Sequence, residues 1–301
     1  MAGETQTIVG GINDSGQVVG AFRDSAGVQH AYVTDRRGGF VTIDFPGATA
    51  TLGEGINNRG DIVGTYRDAQ NTQHGFLLSS GTFTAIDFPD PNAILNFAAD
   101  INDHGEIAGI YNTSDGSIHG YTLKRNGFTS IDVGPPFPIT ITQAFSINDR
   151  TQVAGDFDDV DGNLHGFIFL SGNVQQQVDV PGEQDSGATG LNNSGDVVGS
   201  VLDENFVQHG FLETKGNFFI VDFPGASATA PSHLNNKGII VGRYTDQTGI
   251  HSFMAVPGVQ GNSAAVPNPG PPLHQTTRIC GSREWRNHPE DIKDPQSCVA
   301  Q

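Results

Sequence analysis

Six segments of this chain repeat one ten-residue pattern: GINDSGQVVG from Gly11, GINNRGDIVG from Gly55, DINDHGEIAG from Asp100, SINDRTQVAG from Ser146, GLNNSGDVVG from Gly190 and HLNNKGIIVG from His233. Their first asparagines are Asn13, Asn57, Asn102, Asn148, Asn192 and Asn235, spaced by 44, 45, 46, 44 and 43 residues. So regular a step marks one supersecondary unit, copied and stacked because no copy buries its faces alone.

Turn signals cut each copy into four apolar runs. In the second copy these are 51–56, 61–66, 74–78 and 82–88, separated by Asn57-Asn58-Arg59-Gly60 and by polar residues 67–72; Pro89, which has no N–H, ends the last. Four short strands in such a unit make a propeller blade. The pattern predicts an all-β fold, a six-bladed β-propeller of four-stranded blades over 5–267, followed by an irregular Pro-rich, Cys-containing tail at 268–301. A parallel β-helix is the alternative, but its coils are usually shorter. Composition agrees: 40 Gly and 19 Phe against 2 Met and 1 Trp suit turns and strands rather than helices.

Two departures stand out. In the sixth copy the fourth strand falls on Ala264-Ala265-Val266-Pro267, a worn run that makes this blade the expected weak seam of the ring. In the fourth copy Thr151 replaces the turn glycine, which predicts an altered turn there.

The chain carries 33 Asp and Glu against 15 Lys and Arg, a formal net charge of −18. A nucleic-acid partner is excluded, because binding a phosphate backbone needs a basic stripe. Calcium and cationic partners remain compatible. No apolar window reaches the roughly 20 residues of a membrane span. Met1-Ala2-Gly3-Glu4 reads as a start codon before a mature N-terminus, so export with a removed leader is expected. The only cysteines, Cys280 and Cys298, both lie in the tail and are expected to pair as a disulfide in an exported protein.

The repeated Ile-Asn-Asp-x-Gly-x-Val-Val-Gly, the His-Gly-Phe or His-Ala-Tyr step and the Ile-Asp-Phe-Pro-Gly run together resemble the bacterial extracellular repeat family named for its His-Ala-Phe (HAF) motif, from Thr5 to Pro267. The resemblance implies a propeller-like β fold and an extracellular or periplasmic location. It implies no particular activity.

Several residue sets are candidates for chemistry. A histidine follows each Asn by 17 positions, 16 in the last copy, giving His30, His74, His119, His165, His209 and His251. Converging on one ring they would hold a transition metal; the competing reading makes each one part of a hydrogen-bond network within its own blade, with Asp24, Asp68 or Asp246 to fix the imidazole. The repeated Asn reads as a turn device. Glu54 is the one acid at its offset in the first strand. The densest acidic turn offers Asp156, Asp158, Asp159 and Asp161 to calcium, though without the spacing of a helix–loop–helix calcium loop. Phe22, Tyr66, Tyr111, Phe157 and Tyr244 recur at one offset, either to stack on sugars or to build the core between blades.

No Gly-x-Ser-x-Gly elbow, Gly-rich phosphate loop or His-Glu-x-x-His occurs. The expected function is an exported, non-catalytic propeller that binds glycan, peptide or a cell-surface polymer, or that self-associates. The alternative is an enzyme with an axial site, either a metal-dependent hydrolase or lyase or a His-metal oxidoreductase. Uniform repeats favour the first, because catalysis needs different groups in different roles.

Overall fold

Each Asn-Asx-x-Gly segment closes a tight turn, and the alternating Val, Ile and Gly residues on either side pair as antiparallel strands. The computed structural model describes residues 6–35, 39–133, 141–257 and 279–281. Among these, all regular structure is β: 24 strands in six successive groups of four, each group paired in sequence order. Blade 2 is typical, with strands Ala50–Ile56, Ile62–Arg67, Gln73–Ser79 and Thr82–Ile86. A parallel bridge between Gln73 and Leu95 joins blades 2 and 3 into one eight-stranded sheet. No helix long and apolar enough to cross a membrane is present among the described residues.

The core lies between blades rather than within one. Val63 and Ile86 of blade 2 pack with Ala98, Ile101, Ile107, Tyr111 and Tyr121 of blade 3. Across the seam, Ile12, Val18 and Tyr32 of blade 1 pack with Val241 and Met254 of blade 6. One glycine per blade makes room for the ring beside it. A Cβ on Gly64 would lie 2.0 Å from the carbonyl oxygen of Leu52 and 2.9 Å from Phe76, which is fully buried.

Blade 6 departs from expectation. Its strands are Ala228–Leu234, Ile240–Asp246, Gly249–Ala255 and Ile279–Gly281, so the outer strand comes from the tail, beyond the boundary expected at Pro267. Phe253, Met254 and Ala255 pair with Gly281, Cys280 and Ile279. A three-residue strand needs only backbone groups to add to an open edge, which is why composition did not single it out. Ala264–Pro267, Trp285 and Cys298 lie outside the described residues, and so does the Cys280–Cys298 pairing.

Thr151 keeps the turn of its glycine counterparts. Its φ is +63°, its N–H reaches the Asn148 carbonyl at 2.9 Å, and its hydroxyl donates to Glu106 at 2.7 Å. That extra bond offsets part of the left-handed strain.

Candidate functional site: the ring axis and the blade seams

The first strand of every blade ends in an Asn turn, so all six turns lie at one end of the blades. Each Asn side-chain oxygen accepts two N–H groups of its own turn; for Asn13 these are Ser15 and Gln17, both at 3.0 Å. The turn reading therefore holds. The other half of the amide does something single-copy reasoning missed. Asn13 Nδ2 donates to the carbonyl of Asn57, Asn57 to Asn102, Asn102 to Asn148, Asn148 to Asn192, Asn192 to Asn235 and Asn235 back to Asn13, at 3.0–3.5 Å.

The next residue makes a second circle. The N–H groups of Asp14, Asn58, Asp103, Asp149, Asn193 and Asn236 each donate to the side-chain oxygen of the following member, all at 2.8 Å, with Asn236 returning to Asp14. Only Asp and Asn present an acceptor oxygen at this reach, which accounts for the repeated Asn-Asx pair. Together the two circles rim an axial depression of about 390 Å³, much of it open to solvent.

Its floor breaks the repeat. Two residues before each Asn stand Gly11, Gly55, Asp100, Ser146, Gly190 and His233. The Ser146 hydroxyl donates to Asp100 Oδ2 at 2.7 Å, and His233 Nε2 lies 3.1 Å from the same oxygen, joining blade 3 to blade 6 across the axis. The Asp100 side chain is 3% exposed and also accepts from the N–H groups of Ile101 and Ile147. Burial alone would pull the His233 pKa down, but the Asp100 carboxylate outweighs it and holds the imidazole above its ordinary value. The order is serine, carboxylate, imidazole. With the carboxylate in the middle, the imidazole bonds Asp100 rather than the serine oxygen, so the order is that of a clasp and not of a serine–histidine nucleophile. The signal was visible as three polar residues at a position otherwise occupied by glycine.

The histidines sit at the opposite end, at the start of each third strand. They do not converge. His30, His74, His119, His165 and His209 each turn Nδ1 to the acid that ends their own blade, Asp44, Asp87, Asp132, Asp179 and Asp222, at 2.6–3.1 Å. Nε2 faces a turn carboxylate 3.1–3.6 Å away: Asp24 for His30, Asp68 for His74, Asp159 for His165, Asp203 for His209 and Asp246 for His251. These carboxylates hold His30, His165 and His209 above the ordinary histidine pKa; at His30 the Asp44 bond is the largest cause, while at the other two the acids overcome burial. Among the described residues no group of three His, Cys, Asp or Glu side chains is arranged to hold a metal ion. The transition-metal reading of the six histidines is corrected accordingly.

The aromatic set is likewise occupied. Phe45 of blade 1 stacks on Tyr66 at 3.7 Å, and Tyr66 stacks on His74 at 5.0 Å. Phe88, Tyr111 and His119 repeat the sandwich at 4.0 and 4.8 Å, and Phe223, Tyr244 and His251 at 3.6 and 5.0 Å. With both faces covered, Tyr66, Tyr111 and Tyr244 offer no free ring face for stacking on a sugar. Phe22 stacks on His30 and Phe157 leans on His165.

The four acids proposed for calcium separate as well. Asp159 accepts from the N–H groups of Asp161 and Asn163 and faces His165, which makes it a turn cap. Asp156 is buried, and its Oδ1 has no partner; burial, reinforced by Asp158, pushes its pKa up to about 7. Asp158 is raised by burial and by Asp185 and Asp159. Glu54 stands at a bulge in the first strand of blade 2, and burial pushes its carboxyl up to about 7.

No protein-family model and no curated protein sequence matches this chain. Solved structures do resemble it. The Aleuria aurantia lectin, described as a six-bladed β-propeller with a novel fucose recognition mode, is 12% identical, with a TM-score of 0.50 over 88% of this chain and 97% of its own. The SapL1 lectin, solved with alpha methyl fucoside, is 11% identical, with a TM-score of 0.53 over 87% and 97%. The β-propeller domain of the Trilobed protease from Pyrococcus furiosus, described as having an open velcro topology, is 11% identical, with a TM-score of 0.51 over 89% and 85%. Likeness at this identity concerns the fold: all-β, in four-stranded blades.

Proposed function

We propose that this protein is an exported, non-catalytic six-bladed propeller that binds carbohydrate through the loops of its blades. Its repeats resemble those of the extracellular His-Ala-Phe proteins, and both membership of that family and an extracellular or periplasmic location are part of the proposal. The observation that carries the reading is the architecture it shares with propellers solved as fucose-binding lectins. Supporting it, the repeated polar groups are consumed within the fold: each Asn and Asx in the circles, most histidines between two acids. Such repetition suits presenting similar loops several times over, where weak contacts sum by avidity.

The axial-enzyme reading is weaker, because Asp100 separates Ser146 from His233 and leaves neither to activate the other. A glycan array probed with the folded protein, with and without calcium, tests the proposal. Retention of a defined glycan class, reproduced by calorimetric titration with the free sugar, supports it. A folded protein that retains no glycan overturns it, and discrete oligomers by light scattering would then favour self-association.

A further inference from the structure

Five of the six turns between second and third strands share one design. The carbonyls of Asp24, Asp68, Thr113, Asp159 and Asp203 accept the N–H of the residue three positions on, at 2.9–3.1 Å. Those residues are Gly27, Asn71, Gly116, Gly162 and Phe206, with φ of +82°, +65°, +94°, +83° and +59°. Four are Gly or Asn, the types that tolerate left-handed backbone. Blade 5 puts a phenylalanine there, an outlier for so bulky a side chain.

Packing does not compensate for the strain. Phe206 is 72% exposed, the most exposed large apolar side chain among the described residues. Single exposed hydrophobics are ordinary, but one held at positive φ with its ring in solvent contributes nothing to the fold. The turn beneath it is fixed. Asp203 Oδ1 accepts from the N–H groups of Asn205 and Val207, both at 2.8 Å, while Asp203 Oδ2 faces His209, itself bonded to Asp222. The ring is therefore presented by a rigid loop, with exposed Glu204 and Asn205 beside it in the same turn.

We propose that Phe206 is the stacking platform of a sugar subsite in blade 5. Its ring takes the apolar C–H face of a pyranose, and the Glu204 carboxylate and Asn205 amide take neighbouring hydroxyls. A single flat ring flanked by one acid and one amide fits the two-faced chemistry of a sugar better than an extended apolar partner surface. The subsite rests on the carbohydrate reading above. It also makes the six blades unequal, with one carrying a feature the others lack.

The test compares wild type with Phe206→Gly and Phe206→Trp by glycan array, by titration with the best glycan, and by thermal melting. Glycine relieves the strain, so Phe206→Gly should melt about 2 °C higher while binding at least about tenfold more weakly. Phe206→Trp should keep binding within about threefold. If wild type binds and Phe206→Gly binds equally well, the platform fails while the carbohydrate reading stands. If Phe206→Gly melts lower than wild type, the ring has a structural role and the inference is overturned. If wild type retains no glycan, the carbohydrate reading fails and the subsite fails with it.

Discussion

Asn235 in the last blade donates its side-chain amide to the carbonyl of Asn13 in the first, 3.0 Å away and 222 residues back in the chain. Its oxygen meanwhile accepts from the N–H groups of Lys237 and Ile239, each at 3.0 Å. One buried side chain thus holds its own turn and the seam of the ring. Asn235→Ala should cost about 2–4 kcal/mol, the sum of lost bonds and an unsatisfied carbonyl. Asn235→Asp keeps both acceptor bonds, loses the one to Asn13 and sets a carboxylate against a carbonyl, so it should not rescue. Denaturant melts of the two variants check this; an Asp variant as stable as wild type would show that the bond to Asn13 contributes nothing.

The clasp on the axis has a definite pH dependence. His233 is held above the unfolded value of about 6.5, so its contribution is complete below that pH and is lost as pH rises through the folded value. Wild type should lose melting temperature between neutral and alkaline pH. His233→Gln should flatten that slope. Removing either charged partner alone should cost about 3–5 kcal/mol, and removing both should cost less than the sum.

Asp156 runs the other way in charge but the same way in pH. A buried carboxyl raised to about 7 favours the protonated folded form, so ionisation penalises the fold increasingly as pH climbs from the unfolded pKa toward 7. Asp156→Asn should therefore stabilise by about 1–3 kcal/mol at pH 8 and by nothing near pH 4. Melting curves at the two values decide it. Equal effects at both would mean packing rather than charge is responsible.

Tyr66 lies between Phe45 and His74, 9% exposed. Tyr66→Ala should cost about 3 kcal/mol, with glycan binding per folded molecule unchanged. A selective loss of binding at full stability would reassign the stack to the ligand site.

The repeat made the four-strand unit and the inter-blade core readable, because a fixed offset between Asn, His and the Ile-Asp-Phe run forces every copy into the same register. It also made the histidines legible as local fasteners, since turn acids such as Asp24, Asp68 and Asp246 recur beside them, whereas the Nδ1 bond to the acid that ends each blade emerged only from the fold. Three more things were hidden. The donor half of each Asn acts on the neighbouring copy, a relation that appears only once the copies are placed side by side. The outer strand of blade 6 is an ordinary Ile279–Gly281, recognised by edge pairing rather than by composition. Sugar stacking and inter-blade packing could not be told apart for the tyrosines, because the phenylalanines that cover them belong to the preceding blade.

The two circles of Asn and Asx bonds link each blade only to the next, so they would run equally well around five copies or seven. Asp100 and His233 do not share that indifference. Third and sixth units face one another across a ring only when it holds six, and the hydrogen bond between them spans that diameter. Duplicating or deleting a copy between them would make the ring odd-numbered and leave no unit diametrically opposite the buried carboxylate. The pair is therefore a counting device, a diametric gauge that ties copy number to stability and gives otherwise interchangeable blades fixed addresses.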